Sequence, residues 1–160
     1  MRQLLALFCI IFTLTACEGD QGPPGEDGGV IIAPAFEIEV DFNNGNNFAI
    51  TQNYGFDIVP SDVVLIYISW ETIDGTEVWR LLPQTAILDE GVLSYNYDFT
   101  DTDFSIFMDA TFDLNSLDSS WTQNQYFRVV VVPADYINGI DTANYDDVVK
   151  AAQISEFKSL

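Results

Sequence analysis

The alternation of apolar and polar residues from residue 36 onward is the feature that most constrains the fold of this chain. Over 36–42 (FEIEVDF) every second residue is hydrophobic and the others are acidic, as in a strand with one buried and one exposed face. The segments 63–70 (VVLIYISW) and 126–132 (YFRVVVV) are instead apolar almost throughout. Because such strands need cover on both faces, these two segments are predicted to be interior strands.

Turn residues predict how the strands connect. Asp74 and Gly75 form a two-residue turn of the kind favoured in tight hairpins, and this turn joins 63–70 to a strand at 77–81. Further strands are predicted at 48–51, 92–99 and 104–112. The strands follow one another at short intervals without helical crossovers, which favours antiparallel pairing.

The fold class that follows is mainly β: an antiparallel β-sandwich, Ig-like or a related barrel, with one short C-terminal helix. Asp141 or Thr142 is suited to cap that helix. Its apolar face consists of residues at positions i, i+3, i+4 and i+7, namely Tyr145, Val148, Val149 and Ala152. This face is expected to pack on the sheet or to close one end of it.

Acidic residues dominate the charge of the chain. There are 25 Asp and Glu against 5 Lys and Arg, a net charge of −20 at pH 7. Such a surface repels phosphate backbones, so nucleic acid is excluded as a partner. The charge either keeps an exported protein soluble or forms a surface for divalent cations or basic partners. With 48% hydrophobic residues the chain still has enough apolar groups to fold.

The N-terminus has the pattern of an export signal. Residues 4–14 (LLALFCIIFTL) form an apolar run of eleven, which suits a signal peptide and is too short to span a bilayer. The run ends in Leu14, Thr15, Ala16 and Cys17. This motif resembles the lipobox of bacterial lipoproteins, in which the cysteine thiol accepts a diacylglyceryl group and the chain is then cleaved before it. An ordinary secretory leader with an incidental cysteine is the alternative.

The lipobox resemblance divides the chain into three parts. Residues 1–16 are the signal peptide, residues 17–34 a lipidated acidic tether rich in glycine and proline, and residues 35–160 the β-sandwich domain. The tether contains three successive G-x-y triplets, GDQ-GPP-GED. Longer arrays form collagen triple helices, so collagen-like trimerisation is an alternative to an extended, solvated tether. The acyl chains on Cys17 make the lipid bilayer the one partner that the motif identifies.

The tether and the domain together resemble a known family. The run 17–25 (CEGDQGPPG), and less specifically 62–71, 78–85 and 127–136, are similar to Bacteroidota lipoproteins that begin C-E-G-x-x-G-P-P-G and continue into one small β domain. The resemblance implies an outer-membrane lipoprotein of the cell envelope and no particular activity. In that phylum, acidic residues behind the lipidated cysteine accompany export to the cell surface. The corresponding residues are Glu18, Asp20, Glu26 and Asp27.

The residue types that most catalysis needs are missing. The chain has no histidine, and its two cysteines, Cys9 and Cys17, belong to the leader and to the lipid anchor. Histidine-dependent triads, thiol nucleophiles and ordinary zinc sites are therefore excluded from the domain. No G-x-G-x-x-G or P-loop motif is present. Only carboxylates remain for acid–base chemistry, so the domain is expected not to be an enzyme and to need no cofactor besides the covalent lipid.

Calcium is the one metal that the sequence suggests. Asp98, Asp101 and Asp103 lie in an oxygen-rich segment, and 41–44 (DFNN) is similar. Calcium takes six to eight oxygen ligands, which such segments can supply. Neither segment, however, has the spacing of an EF-hand loop. Solvated turns and strand ends are the alternative explanation for both segments.

The tryptophans suggest a glycan-binding alternative. Trp121 lies in the loop-like segment 119–122 (SSWT) and is expected to be exposed, where its ring could stack on a sugar. Trp70 and Trp79 lie in alternating strand patterns and are expected in the core. The sequence thus favours an envelope-anchored lipoprotein with a non-catalytic structural or interaction role. The alternative is a glycan- or calcium-binding module displayed at the cell surface, and the protein or glycan partner is not identified.

Overall fold

The computed structural model describes residues 34–159. The predicted signal peptide and all of the predicted tether but its last residue, including Cys17 and the rest of the lipobox, lie outside the described residues. The strands are β1 (Ala35–Val40), β2 (Ala49–Asn53), β3 (Val63–Ile73), β4 (Thr76–Leu81), β5 (Gln84–Leu88), β6 (Gly91–Phe99), β7 (Asp103–Ala110), β8 (Gln125–Val132) and β9 (Lys158–Ser159). Two short helices, α1 (Ala134–Ile137) and α2 (Tyr145–Ala151), follow β8.

The strands form two sheets that pack face to face. The five-stranded sheet has the order β4-β3-β8-β1-β9 and the four-stranded sheet the order β2-β7-β6-β5. Neighbouring strands are antiparallel, except that β9 pairs with β1 in parallel. The prediction of a mainly β, antiparallel sandwich with a short helix near the C-terminus is confirmed.

Alternate residues of the two sheets meet in the core between them. Ile38, Ile66 and Val129 come from the five-stranded sheet. Leu93 and Ile106 face them from the four-stranded sheet, and all five side chains are buried. Because burial of a large apolar side chain stabilises the fold by about 1.5–3 kcal/mol, this layer is the main favourable term in folding.

The C-terminal segment covers the other face of the five-stranded sheet. Val148 of α2 packs against Leu65 of β3 and Val130 of β8, and all three are buried. Strands β3 and β8 therefore have apolar contacts on both sides. This two-sided cover is the physical reason why their sequences are apolar almost throughout, and both are interior strands as predicted.

The hairpin of β3 and β4 turns at the predicted residues. Asp74 and Gly75 have φ angles of 51° and 80°, and a type I′ turn requires positive φ at both positions. Farther along the hairpin the register shifts between Ser69 and Glu71. Trp70 is therefore the extra residue of a β-bulge, which bends the strand and changes the direction of a side chain.

Strand β5 has no counterpart among the predicted strands. It begins just after Leu82 and Pro83, where the chain leaves β4 in one sheet and enters the other sheet. In this segment Ala86 is buried, Ile87 exposed and Leu88 half-buried. Three consecutive apolar residues therefore hide the alternation between the two faces of the strand. Such a strand is defined by its pairing with β6 more than by its own sequence pattern.

The predicted caps of the C-terminal helix, Asp141 and Thr142, are wrong. The Asn144 side chain caps α2 by accepting hydrogen bonds from the backbone N–H groups of Asp146 and Asp147. The Asp141 side chain instead accepts a hydrogen bond from the backbone N–H of Ala143 in the preceding turn. Within residues 34–159 no helix is long and apolar enough to cross a membrane.

Arg128 links the C-terminal segment to the five-stranded sheet. The guanidinium carbon of Arg128, on β8, lies 4.1 Å from the ring centroid of Trp79 and 4.4 Å from that of Phe157. Its Nε donates to the Glu37 carboxylate at 2.9 Å, and Nη1 donates to the Tyr145 hydroxyl at 2.6 Å. Burial raises the pKa of Tyr145, so this hydroxyl is neutral at pH 7. The arginine thus joins β1, β4, β8 and the C-terminal segment.

Replacing Arg128 with alanine should lower the free energy of unfolding by about 2 kcal/mol, because its cation–π contacts with Trp79, Tyr145 and Phe157 and a partly buried ion pair are lost together. Urea denaturation followed by tryptophan fluorescence measures this. Arg80→Ala is the matched control, since Arg80 also lies over a tryptophan and pairs with Glu71, but with a side chain that is 41% exposed. The control should cost less than about 1 kcal/mol. Equal losses of unfolding free energy in the two variants would contradict the linking role of Arg128.

Candidate functional site

A cleft opens at the edge of the inter-sheet core, at one end of the sandwich. Its volume is about 160 Å³. Trp70, Tyr95 and Trp121 supply its aromatic walls, and Ser120 and Gln125 supply polar groups. We call this feature the aromatic cleft.

The bulge in β3 brings Trp70 into the aromatic cleft. Its ring lies edge-on to Trp121, with a centroid separation of 6.2 Å and an interplanar angle of 67°. The Arg80 guanidinium lies over the same ring at 5.1 Å. That arginine is held by an ion pair with Glu71 at 2.8 Å. Trp70 is thus fixed by contacts on two sides while it stays half-buried.

The segment that carries Trp121 is fixed by capping and by bonds to the end of β1. Trp121 closes a short 3₁₀ helix, Ser119–Trp121, whose cap is Asp118. The hydrogen bond from the Ser120 backbone N–H lowers the pKa of Asp118, so this cap is ionised at neutral pH. At the end of the segment the Asn124 backbone N–H donates to the Asp41 carboxylate at 2.8 Å.

Polar groups inside the aromatic cleft are partly used by the protein itself. The Tyr95 hydroxyl donates to the backbone carbonyl of Trp121, and burial raises the pKa of Tyr95 far above neutrality. The Gln125 amide nitrogen donates to the carbonyls of Ser120 and Gln123 at 3.0 and 2.8 Å. The Ser120 hydroxyl donates to the Asp118 carboxylate. The Gln125 amide oxygen is thus a polar atom of the cleft left to meet a ligand, and Ser69 lines the cleft beside it.

The structure brings two of the three tryptophans together and separates the third. Trp121, expected to be exposed, is half-buried and packs against the core. Trp70, expected in the core, is also only half-buried and lies beside it. Trp79 packs in the cluster on the opposite face of the five-stranded sheet. A platform of all three rings is therefore not formed.

The sequence offered no sign that Tyr95, Ser120 and Gln125 belong to the same site. Tyr95 is an interior residue of a predicted strand, and Gln125 pairs with Val40 at the far end of β1. Only the pattern Asp118-Ser119-Ser120, an acidic cap before small polar residues, marks the turn that presents Trp121.

The three aspartates proposed as calcium ligands lie around the β6–β7 turn. Asp98 is exposed on β6 opposite Ser105. The Asp101 carbonyl accepts the Ile58 N–H at 2.9 Å, and the Asp103 carboxylate accepts the Thr100 hydroxyl at 2.7 Å. In the described part of the chain no group of three or more acidic side chains is arranged to hold a metal ion. Calcium binding at these residues stays a prediction.

The lining of the aromatic cleft favours binding over acid–base chemistry. Among the described residues, those that line it are Ile68, Ser69, Trp70, Tyr95, Ser120, Trp121 and Gln125. Tyr95 is the one ionisable side chain of this set, and its raised pKa keeps it protonated. Half-buried indole rings and neutral hydrogen-bonding groups suit an uncharged ligand with an apolar ring face.

A comparison of the chain with protein-family models, curated proteins and solved structures finds no match. What the site can do therefore follows from its own residues and their geometry.

Tyr95→Phe should loosen the segment that carries Trp121, because the Trp121 carbonyl loses its donor. The expected cost is about 1 kcal/mol of unfolding free energy, with faster amide hydrogen exchange over residues 114–124. Tyr97→Phe is the matched control, since the Tyr97 hydroxyl donates to the Val64 carbonyl at 3.0 Å away from this segment. It should cost a similar amount without changing exchange over 114–124. Unchanged exchange in Tyr95→Phe would refute the positioning role of Tyr95.

Proposed function

We propose that this protein is an envelope-anchored bacterial lipoprotein with a non-catalytic interaction role. The observation that carries the proposal is the apolar run 4–14 ending in Leu14, Thr15, Ala16 and Cys17. The chemistry of lipidation needs a thiol acceptor and small residues before the cleaved bond, and both are present. On the resemblance to Bacteroidota lipoproteins, the anchor lies in the outer membrane and the domain is displayed from it.

The register of β1 supports a role in which the domain presents to a partner the end of the sandwich that lies away from the tether. Residue 34, where the tether ends, precedes Ala35, which lies opposite Val130 on β8. At the other end of β1, Val40 lies opposite Gln125, a residue of the aromatic cleft. A six-residue strand spans roughly 20 Å. The tether attachment and the aromatic cleft therefore lie at opposite ends of the sandwich.

The absence of catalysis is part of the proposal. General acid–base chemistry at neutral pH needs a group whose pKa lies near 7 inside a cleft. The chain has no histidine, and burial moves the pKa of Tyr95 in the aromatic cleft upward, away from that range. Binding without turnover is the role that these groups support.

Cys17→Ser should abolish incorporation of a radiolabelled fatty acid and leave the unprocessed precursor, because the hydroxyl does not replace the thiol as lipid acceptor. Gel mobility and membrane fractionation of the expressed chain measure both effects. Cys9→Ser is the matched control, since Cys9 lies inside the apolar run and should leave labelling and processing unchanged. Normal processing and membrane retention of Cys17→Ser would refute the lipoprotein assignment.

A glycan-binding module is the second candidate, and the pairing of Trp70 with Trp121 favours it. Indole faces stack on the apolar faces of sugar rings, and the Gln125 amide oxygen lies in the same cleft to accept a hydrogen bond from a sugar hydroxyl. The volume of about 160 Å³ fits part of one sugar ring. The cleft would therefore contact a single sugar residue of a bound glycan, either within the chain or at its end.

If the aromatic cleft binds glycans, titration with soluble oligosaccharides should change the tryptophan emission of the full chain, and Trp121→Ala should abolish the change. Trp79→Phe is the control, because Trp79 lies on the other face of the five-stranded sheet and should leave glycan binding intact. Circular dichroism checks that both variants are folded. Binding that survives Trp121→Ala would place any glycan site elsewhere.

A further inference from the structure

Strand β5 forms an outer edge of the four-stranded sheet. On β6, Val92 directs its backbone toward the end of β7: its carbonyl accepts the Thr111 N–H, and its N–H donates to the Thr111 hydroxyl. Ile87 of β5 lies opposite Val92. Two directly opposite residues of an antiparallel pair either hydrogen-bond to each other or both direct their backbone N–H and C=O groups away from each other. The N–H and C=O of Ile87 therefore point to the outer edge.

The side chain at this edge is unusually open. Ile87 is 87% exposed, the highest value among the exposed large hydrophobic residues of the described chain. Val92, beside it on β6, is 37% exposed. Proteins usually protect an edge strand with charge, proline or a covering segment. At Ile87 an open apolar side chain therefore occurs together with backbone groups that have no partner strand within residues 34–159.

A groove of about 360 Å³ adjoins this edge. Leu88, Leu117 and Trp121 give it an apolar floor, and Trp121 is shared with the aromatic cleft. Its rim is acidic, with Asp89 and Glu90 in the β5–β6 turn and Asp118 across from them. An extended chain lying along β5 would place alternate side chains over this groove.

We infer that the β5 edge and the acidic groove bind an extended, basic segment of a partner protein, which adds to the four-stranded sheet as a further strand. Backbone hydrogen bonds to β5 would give affinity, and apolar side chains packed on Ile87 with basic side chains at the rim would give specificity. The inference deepens the interaction role proposed above and is independent of lipidation.

Charge decides between this partner and a second copy of the chain. Two copies that met at their β5 edges would each carry a net charge of −20 and would each have Asp89 and Glu90 beside the edge. Like charges at an interface oppose association, and complementary charges speed it and select the partner. An extended segment rich in lysine or arginine can hydrogen-bond to the backbone of β5 and pair its positive charges with the acidic residues beside this edge.

The test uses the full chain in mild detergent and a fluorescent peptide of about eight residues in which lysine and valine alternate, a length that matches a short strand. Fluorescence anisotropy measures the dissociation constant. The same peptide N-methylated at alternate residues, and an analogue with glutamate in place of lysine, should both bind at least about tenfold more weakly. Equal binding of either analogue would overturn the inference.

Two pairs of variants locate the site. Ile87→Lys should weaken binding at least about tenfold, and Ile73→Lys, at an isoleucine 53% exposed in the β3–β4 hairpin, should not. Asp89→Asn with Glu90→Gln should weaken binding and reduce its salt dependence. Asp146→Asn with Asp147→Asn, which removes the same charge from α2, should do neither.

The remaining outcomes are also decisive. Equal losses in test and control variants would show only a general attraction to an acidic surface and would overturn the inference. Dimerisation of the full chain that Ile87→Lys abolishes would assign the edge to a second copy instead. Because Cys17→Ser does not alter this edge, loss of peptide binding and loss of membrane anchoring are separable failures.

Discussion

The antiparallel pairing of β3 with β8 is the interaction on which the rest of the sandwich depends. It runs from Val63 opposite Val132 to Ile68 opposite Phe127, and its side chains alternate between two buried layers. A shift of one residue would exchange the two layers, so burial on both faces fixes the register. Strand β1 then pairs with β8, and β4 with β3. The four-stranded sheet and the C-terminal segment each pack on one face of this unit.

The sequence predicted the elements whose pattern is local. Period-two alternation identified β1, apolar runs identified β3 and β8, and Asp74-Gly75 identified the hairpin turn. It did not predict β5, because the exposed Ile87 lies between two apolar residues and hides the alternation of the strand. It also misplaced the cap of α2, since Asp141, Thr142 and Asn144 are all acceptable caps, and only the structure shows that Asp141 bonds to Ala143.

The candidate site was less predictable than the fold for a physical reason. Whether a strand residue faces a core or a cleft depends on register, and the bulge at Trp70 shifts register within β3. The aromatic cleft also joins residues far apart in the chain, and the hydrogen bond from Tyr95 to the Trp121 carbonyl has no local signature. Trp121 was expected to be exposed, and its half-burial follows from packing against the core, which the loop-like sequence around it does not reveal.

The distribution of the few basic residues connects the packing to the surface. Of the four in the described part of the chain, Arg80 and Arg128 are both engaged with a glutamate and a tryptophan. Lys150 and Lys158 are exposed in the C-terminal segment, and Arg80 keeps a partly exposed side chain beside Glu71. The surface that residues 34–159 present is therefore predominantly anionic. A predominantly negative surface permits an open strand edge such as β5, because it opposes pairing between identical copies, and the same charge would favour the cationic partner proposed above.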